Sequence, residues 1–189
     1  SLSGLIPLLA IATFDARTVE SIPALDVRSY LRDLGEDRGA PFDAISHLGS
    51  RHRDHVLFSI VPPDRLRRIL TRVFDEQEFL SPYGIRSLSM VYQNNPYSYQ
   101  QGDDHATISY SPADSPVAMF GGNSNWRGPV WIPINYLLIE ALQKFGHALG
   151  DEFRMEFPTG SGRELNLWQI SLELEKRLVG IFRRNEEGR

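Results

Sequence analysis

Trp131-Ile-Pro-Ile-Asn-Tyr-Leu-Leu-Ile-Glu-Ala-Leu-Gln-Lys-Phe-Gly-His-Ala-Leu149 is the stretch that decides the fold class. Leu138, Leu142, Phe145 and Leu149 recur at the spacing of one helical face, and Ile134, Leu137 and Ala141 widen that face. Glu140, Gln143, Lys144 and His147 mark a narrow wet side, and Gly150 ends the helix. A helix this apolar is covered by neighbours over much of its circumference.

Immediately before it lies Met119-Phe-Gly-Gly-Asn-Ser-Asn-Trp-Arg-Gly-Pro-Val-Trp131, with two tryptophans, an arginine, two asparagines and three glycines. Flat rings stack on the apolar face of a ligand. Arg127, Asn123 and Asn125 can hydrogen-bond its polar groups, and glycines such as Gly128 let backbone come close. A sugar has both kinds of surface. The structural alternative is a tight glycine turn whose tryptophans anchor the helix.

Further outward, Gly4 to Phe14 is apolar nearly all round and reads as a buried helix. Ser21-Ile-Pro-Ala precedes a weaker helical segment from Leu25 to Leu34. Loop signals dominate from Gly35 to Asp54, and Val56 to Val61 reads as extended. Pro62-Pro63-Asp64 starts a helix that buries Leu66, Ile69, Leu70, Val73 and Phe74. Its arginines, Arg65, Arg67, Arg68 and Arg72, fall on the solvated side. Residues 76–130 form a long region with almost no sustained period, rich enough in aromatics and prolines to be ordered and functional. Short strands fit at Ser87 to Tyr92 and Thr107 to Tyr110, and a last amphipathic helix runs from about Leu165 to Phe182. The count of about five helices makes the expected class mainly α.

The chain has 189 residues, 41% of them apolar, and a net charge of -4, which suits one ordinary domain. No basic run interleaved with aromatics suggests a nucleic-acid partner. The apolar opening from Leu2 to Ala12 is too short to cross a membrane. The absence of cysteine removes disulfides and thiol chemistry and leaves the compartment open, with the cytoplasm as the expectation. No histidine pair sits at helical metal-binding spacing, so neither a metal nor another cofactor is expected. The chain lacks a Gly-x-Ser-x-Gly elbow. Glu156, between Met155 and Phe157 and before Pro158-Thr-Gly-Ser-Gly162, is the carboxylate whose setting suits a general base. A surface glutamate is the alternative. The loops at Trp126 and Glu156 flank opposite ends of one helix, about 25 to 30 Å apart, and share a pocket only if they fold back.

Gly121-Gly-Asn-Ser-Asn-Trp-Arg-Gly-Pro-Val-Trp131, with Ile132-Pro-Ile-Asn-Tyr-Leu-Leu-Ile139 after it, resembles the signature of glycoside hydrolase family 63 and its bacterial relatives. Ser3-Gly-Leu-Ile-Pro-Leu8, Glu78-Phe-Leu-Ser-Pro-Tyr-Gly-Ile-Arg-Ser-Leu88 and Phe157-Pro-Thr-Gly-Ser-Gly162 extend the resemblance over nearly the whole chain. It implies that residues 1–189 are the C-terminal portion of a catalytic (α/α)6 toroid, with 76–130 as an active-site loop region. It also implies hydrolysis of α-glycosidic bonds with inversion, by two carboxylic acids about 6.5 to 9.5 Å apart. Glu156 would be the base, although Phe157 departs from the family pattern. Trp126, Arg127, Asn125, Gly128 and Trp131 would bind sugar, and Tyr83 and Arg86 would form a second wall. The general-acid aspartate would lie upstream, and Asp103, Asp104 and Asp114 match no motif for it. The fragment would then be inactive alone, would pair with the missing N-terminal part of the same barrel, and would self-associate without it. The competing reading is a non-catalytic helical module that binds carbohydrate or acts as a scaffold.

Overall fold

A computed structural model of the protein describes residues 1–15, 17, 45–46, 55–102, 104–112, 129–184 and 188. A 3-10 turn over Leu2–Leu5 runs into a single turn of helix, α1 (Ile6–Leu9), and then into strand β1 (Ile11–Asp15). β3 (His55–Ser59) pairs antiparallel with β1 on one side and with β2 (Ile45–Ser46) on the other. Helix α2 (Pro63–Val73) follows. A tight hairpin of β4 (Leu80–Ser81) and β5 (Gly84–Ile85) comes next, and after it a longer one of β6 (Tyr97–Gln101) and β7 (Asp104–Ile108). Helix α3 (Ile132–Leu149), the hairpin β8 (Arg154–Glu156) and β9 (Glu164–Asn166), and helix α4 (Leu167–Gly180) complete the described elements.

The mainly α expectation, part of an (α/α)6 toroid, is overturned: the described residues hold nine strands in four small sheets beside four α-helices. The buried helix expected from Gly4 to Phe14 is half strand. Leu2, Leu5 and Leu8 are buried at helical spacing, but Ile11-Ala-Thr-Phe-Asp15 carries β-branched and aromatic side chains and finds a partner in Val56-Leu-Phe58. An apolar run cannot reveal a partner forty residues away. Ser87 to Tyr92 forms no strand; Met90–Gln93 is a 3-10 turn capped by the Ser89 hydroxyl, which accepts from Val91 N–H. The expected helix at Leu25 to Leu34 lies outside the described residues. The extended piece at Val56 and the helices begun by Pro63 and Ile132 fall where the periodicity puts them. Among the described residues, no helix is long and apolar enough to cross a membrane.

One core joins these pieces. Leu66, Leu70 and Phe74 from α2 meet Leu138, Leu142 and Phe145 from α3 and Leu167, Ile170 and Leu174 from α4. α3 and α4 form an antiparallel pair. Gly146 lets the end of α3 approach the start of α4 so closely that a Cβ there would stand 3.1 Å from the Trp168 nitrogen. Asn166 starts α4 with a capping box, accepting from Gln169 N–H at 2.8 Å while Gln169 Oε1 accepts from Asn166 N–H at 3.1 Å.

The six residues Gly84 to Ser89 are all buried, although they form no long strand. Buried backbone must be paired, so each amide needs a donor or acceptor from elsewhere. The Asn135 side chain, 2% exposed in the first turn of α3, supplies two of them. Its Oδ1 accepts from Ile85 N–H at 2.7 Å, and its Nδ2 donates to the carbonyls of Ile85 and Trp131, both at 3.0 Å. Arg86 N–H donates to Phe79 O and Ser87 N–H to Pro129 O, while Leu2 N–H donates to Ser87 O, each at 2.8 Å. Gly84 has φ +116, and a Cβ would lie 2.9 Å from both Asn135 Oδ1 and Leu178 Cδ2.

Asn135→Leu should therefore lower stability by about 2–4 kcal/mol, because it strands a buried N–H and a buried C=O at Ile85. Gly84→Ala should cost on the order of 1–3 kcal/mol through backbone strain alone. Urea unfolding of the two variants checks both values, and an Asn135→Leu protein as stable as the parent would refute the pairing.

Candidate functional site

Glu156 lies on the β8–β9 hairpin, whose burial alternates as a half-buried strand requires. Met155 and Phe157 are buried and Glu156 between them is exposed. The Phe157 ring, 1% exposed, meets Phe74 edge to face at a centroid distance of 5.2 Å. Phe157 N–H donates to Arg163 O at 2.9 Å, and the Phe157–Pro158 peptide is cis. Thr159 then ties the loop to the end of α2, where the last carbonyls of a helix lack partners. Its N–H donates to Phe74 O at 3.0 Å and its hydroxyl to Thr71 O at 2.7 Å. Gly160, with φ +82, turns the chain so that its N–H donates to Glu156 Oε2 at 2.6 Å. The carboxylate is thus solvent-facing but held in a fixed position.

The second set of residues lies on the β4–β5 hairpin and its continuation. Tyr83, 55% exposed at the hairpin tip, points to solvent, and its N–H donates to the Ser81 hydroxyl at 3.1 Å. Arg86 is 9% exposed and is bound into the loop that precedes it. Its Nη1 donates to the carbonyls of Glu76 at 3.0 Å, of Glu78 at 3.4 Å and of Leu80, and its Nε to the Tyr110 hydroxyl at 3.3 Å. Trp131 is half-buried against the core and stands at the N-terminal cap of α3. Asn125, Trp126, Arg127 and Gly128 lie outside the described residues. Among the described residues, no three of His, Asp and Glu cluster as metal ligands.

The β8–β9 hairpin touches α4 at both of its ends. Arg154 pairs with Asn166 beside the start of α4, yet Phe157 already lies under the guanidinium of Arg177 near the far end of that helix. Arg177 in turn donates to Ser81 O at 2.6 Å, and Leu178 meets Gly84 beside Asn135. Glu156 therefore neighbours a residue packed at the α4 end that adjoins the first turn of α3. Arg163, on the same hairpin, contacts Glu173 at 3.5 Å, and Lys176 contacts Glu173 at 3.2 Å.

The chain fits the model of the glycosyl hydrolase family 63 C-terminal domain over residues 35–157 and belongs to that family. It is 40% identical over 190 residues to an uncharacterized protein of Saccharomyces cerevisiae, which covers 100% of this chain and 17% of the yeast protein. It is 32% identical over 120 residues to a protein of Schizosaccharomyces pombe named as a probable mannosyl-oligosaccharide glucosidase, covering 62% of this chain and 12% of that one. The chain spans less than a fifth of the length of either relative.

Two residues that organise this region, Asn135 and Arg177, escaped the sequence reading. Asn135 could have been found as a polar residue inside the apolar face of a helix. Arg177 gave no such signal, because in the sequence it follows Glu175 and Lys176 and reads as one more solvated charge.

Phe157→Ala should lower stability by about 3–5 kcal/mol through the cavity it leaves. Glu156→Gln keeps an oxygen for Gly160 N–H and should change stability by less than about 0.5 kcal/mol. Thermal unfolding of both variants checks the contrast. The Lys176 ammonium, hydrogen-bonded to Glu173, holds that carboxyl below its ordinary range, against the opposing effect of burial and with added help from Arg163. A lowered carboxyl stabilises the fold above its unfolded pKa and loses that effect as pH falls through the folded value. Glu173→Gln should thus cost no more than about 1 kcal/mol at neutral pH, since exposed pairs are screened. The difference from the parent should vanish in acid, and unfolding curves across the acid range measure it.

Proposed function

We propose that this stretch carries the base of an inverting α-glycoside hydrolase, with Glu156 activating the water that attacks the anomeric carbon. The observation that carries the reading is the way Glu156 is held: a carboxylate open to solvent yet fixed by Gly160 N–H on a hairpin anchored by Phe157 and Thr159. A base must present its oxygen to a water in defined geometry, and such anchoring provides it. Family membership supplies the reaction class, and the Schizosaccharomyces pombe relative's name points to a glucosyl residue of an oligosaccharide as substrate.

In this reading Trp126 and Trp131 stack on the sugar, while Arg127 and Asn125 hydrogen-bond its hydroxyls beside Gly128. Tyr83 faces the same ligand from the β4–β5 hairpin. Arg86, bound through Nη1 to three backbone carbonyls, shapes the wall that carries Tyr83. The second carboxylic acid comes from another part of the longer polypeptide. In the inverting geometry it stands about 6.5 to 9.5 Å from Glu156.

The test uses the full-length protein and α-glucosyl fluoride, whose leaving group needs little protonation, so the rate reports on the base. Glu156→Gln should lower fluoride release by roughly 10²- to 10⁴-fold while glucose still binds. The first product should be β-glucose. An unchanged rate would leave the stretch as a carbohydrate-binding or scaffolding module.

A further inference from the structure

We infer that Arg177 is a positioning residue that fixes the distance between the Glu156 hairpin and the β4–β5 hairpin bearing Tyr83; the inference rests on the role proposed for Glu156. Arg177 projects from the last turns of α4 and is only 21% exposed along its side chain. Its guanidinium lies over the Phe157 ring, 5.3 Å from the centroid, while its Nη1 donates to Ser81 O at 2.6 Å. Its Nη2 approaches Glu76 at 3.7 Å.

The two contacts use different parts of one planar group. A guanidinium stacks through its face and donates through its edge, so it can span an aromatic ring and a carbonyl simultaneously. On one side it packs on Phe157, the residue after Glu156, and so holds the buried face of the segment whose opposite, exposed face carries the carboxylate. On the other it is two residues from Tyr83. Ser81 is itself bound into that hairpin, its hydroxyl donating to Gly84 O at 2.8 Å and accepting from Tyr83 N–H. A shift of either hairpin breaks the stack or the hydrogen bond. Arg177 therefore couples the position of the base to the position of the wall against which sugar would lie. A lysine keeps the charge but cannot both stack and donate from one plane.

The test compares Arg177→Met and Arg177→Lys in the full-length protein, each in the native and the Glu156→Gln background, with α-glucosyl fluoride as substrate. Both variants should lower kcat by roughly 10- to 100-fold, with KM within about twofold of the parent, as expected when reacting groups are held slightly out of place. In the Glu156→Gln background neither should lower the residual rate further, because the group through which Arg177 acts is already gone. A loss of folded protein would instead reduce the rate by the same factor in both backgrounds, and that result would overturn the inference. An unchanged kcat, or a change confined to KM, would also overturn it. If Arg177→Met does not fold, Arg177→Lys decides alone. A Glu156→Gln protein with full activity refutes the base and Arg177's role together, whereas an inactive one with additive Arg177 losses refutes only the latter.

Discussion

The paired hydrogen bonds between the Asn135 carboxamide and the Ile85 backbone are the constraint on which the remaining structure depends. Residues 84–89 run through the interior without a continuous strand partner, and an unpaired amide there costs roughly as much as a lost hydrogen bond. The carboxamide offers the donor and acceptor pattern of a peptide group and so stands in for one residue of a neighbouring strand. Because Asn135 belongs to the first turn of α3, the same contact fixes the helix start. Its further bond to Trp131 O places the tryptophan at the cap.

From that contact the arrangement follows in steps. Ile85 fixed against α3 sets Arg86, whose guanidinium gathers the carbonyls of residues 76, 78 and 80 into a tight loop. That loop leaves α2 at Phe74, and Phe74 is also where Phe157 and Thr159 dock. The hairpin that bears Glu156 and the hairpin that bears Tyr83 thus share one anchorage at the end of α2. Arg177 connects them a second time from α4. Two independent connections restrict the relative motion of the two hairpins more than one would.

How much of this was legible in the sequence depended on the range of the interactions. α2 and α3 were readable because their apolar spacing is local, and Pro63 and Pro133 mark their starts. β1 was not, because its pairing with β3 is a long-range event and a short apolar run fits helix and strand equally well. The β8–β9 hairpin was hidden for a similar reason: its strands have three residues each, and the alternation of Met155, Glu156 and Phe157 is too brief to separate from a loop. What the sequence does show locally is that Glu156 and its turn glycines are adjacent. Its partners on α2 and α4 are not.

The exposure of Glu156 bears on how a base at this position could operate. An open carboxylate is well solvated, and a base gains from restricted water and fixed orientation. Orientation is present in the described residues, through Gly160 N–H and the buried side chains on either side. Exclusion of bulk water would have to come from a surface laid over the outer face of the hairpin. The rigid anchorage is compatible with that division of labour. A hairpin pinned through Phe157, Thr159 and Arg177 can receive a covering surface without moving, and the carboxylate would stay where the fold has placed it.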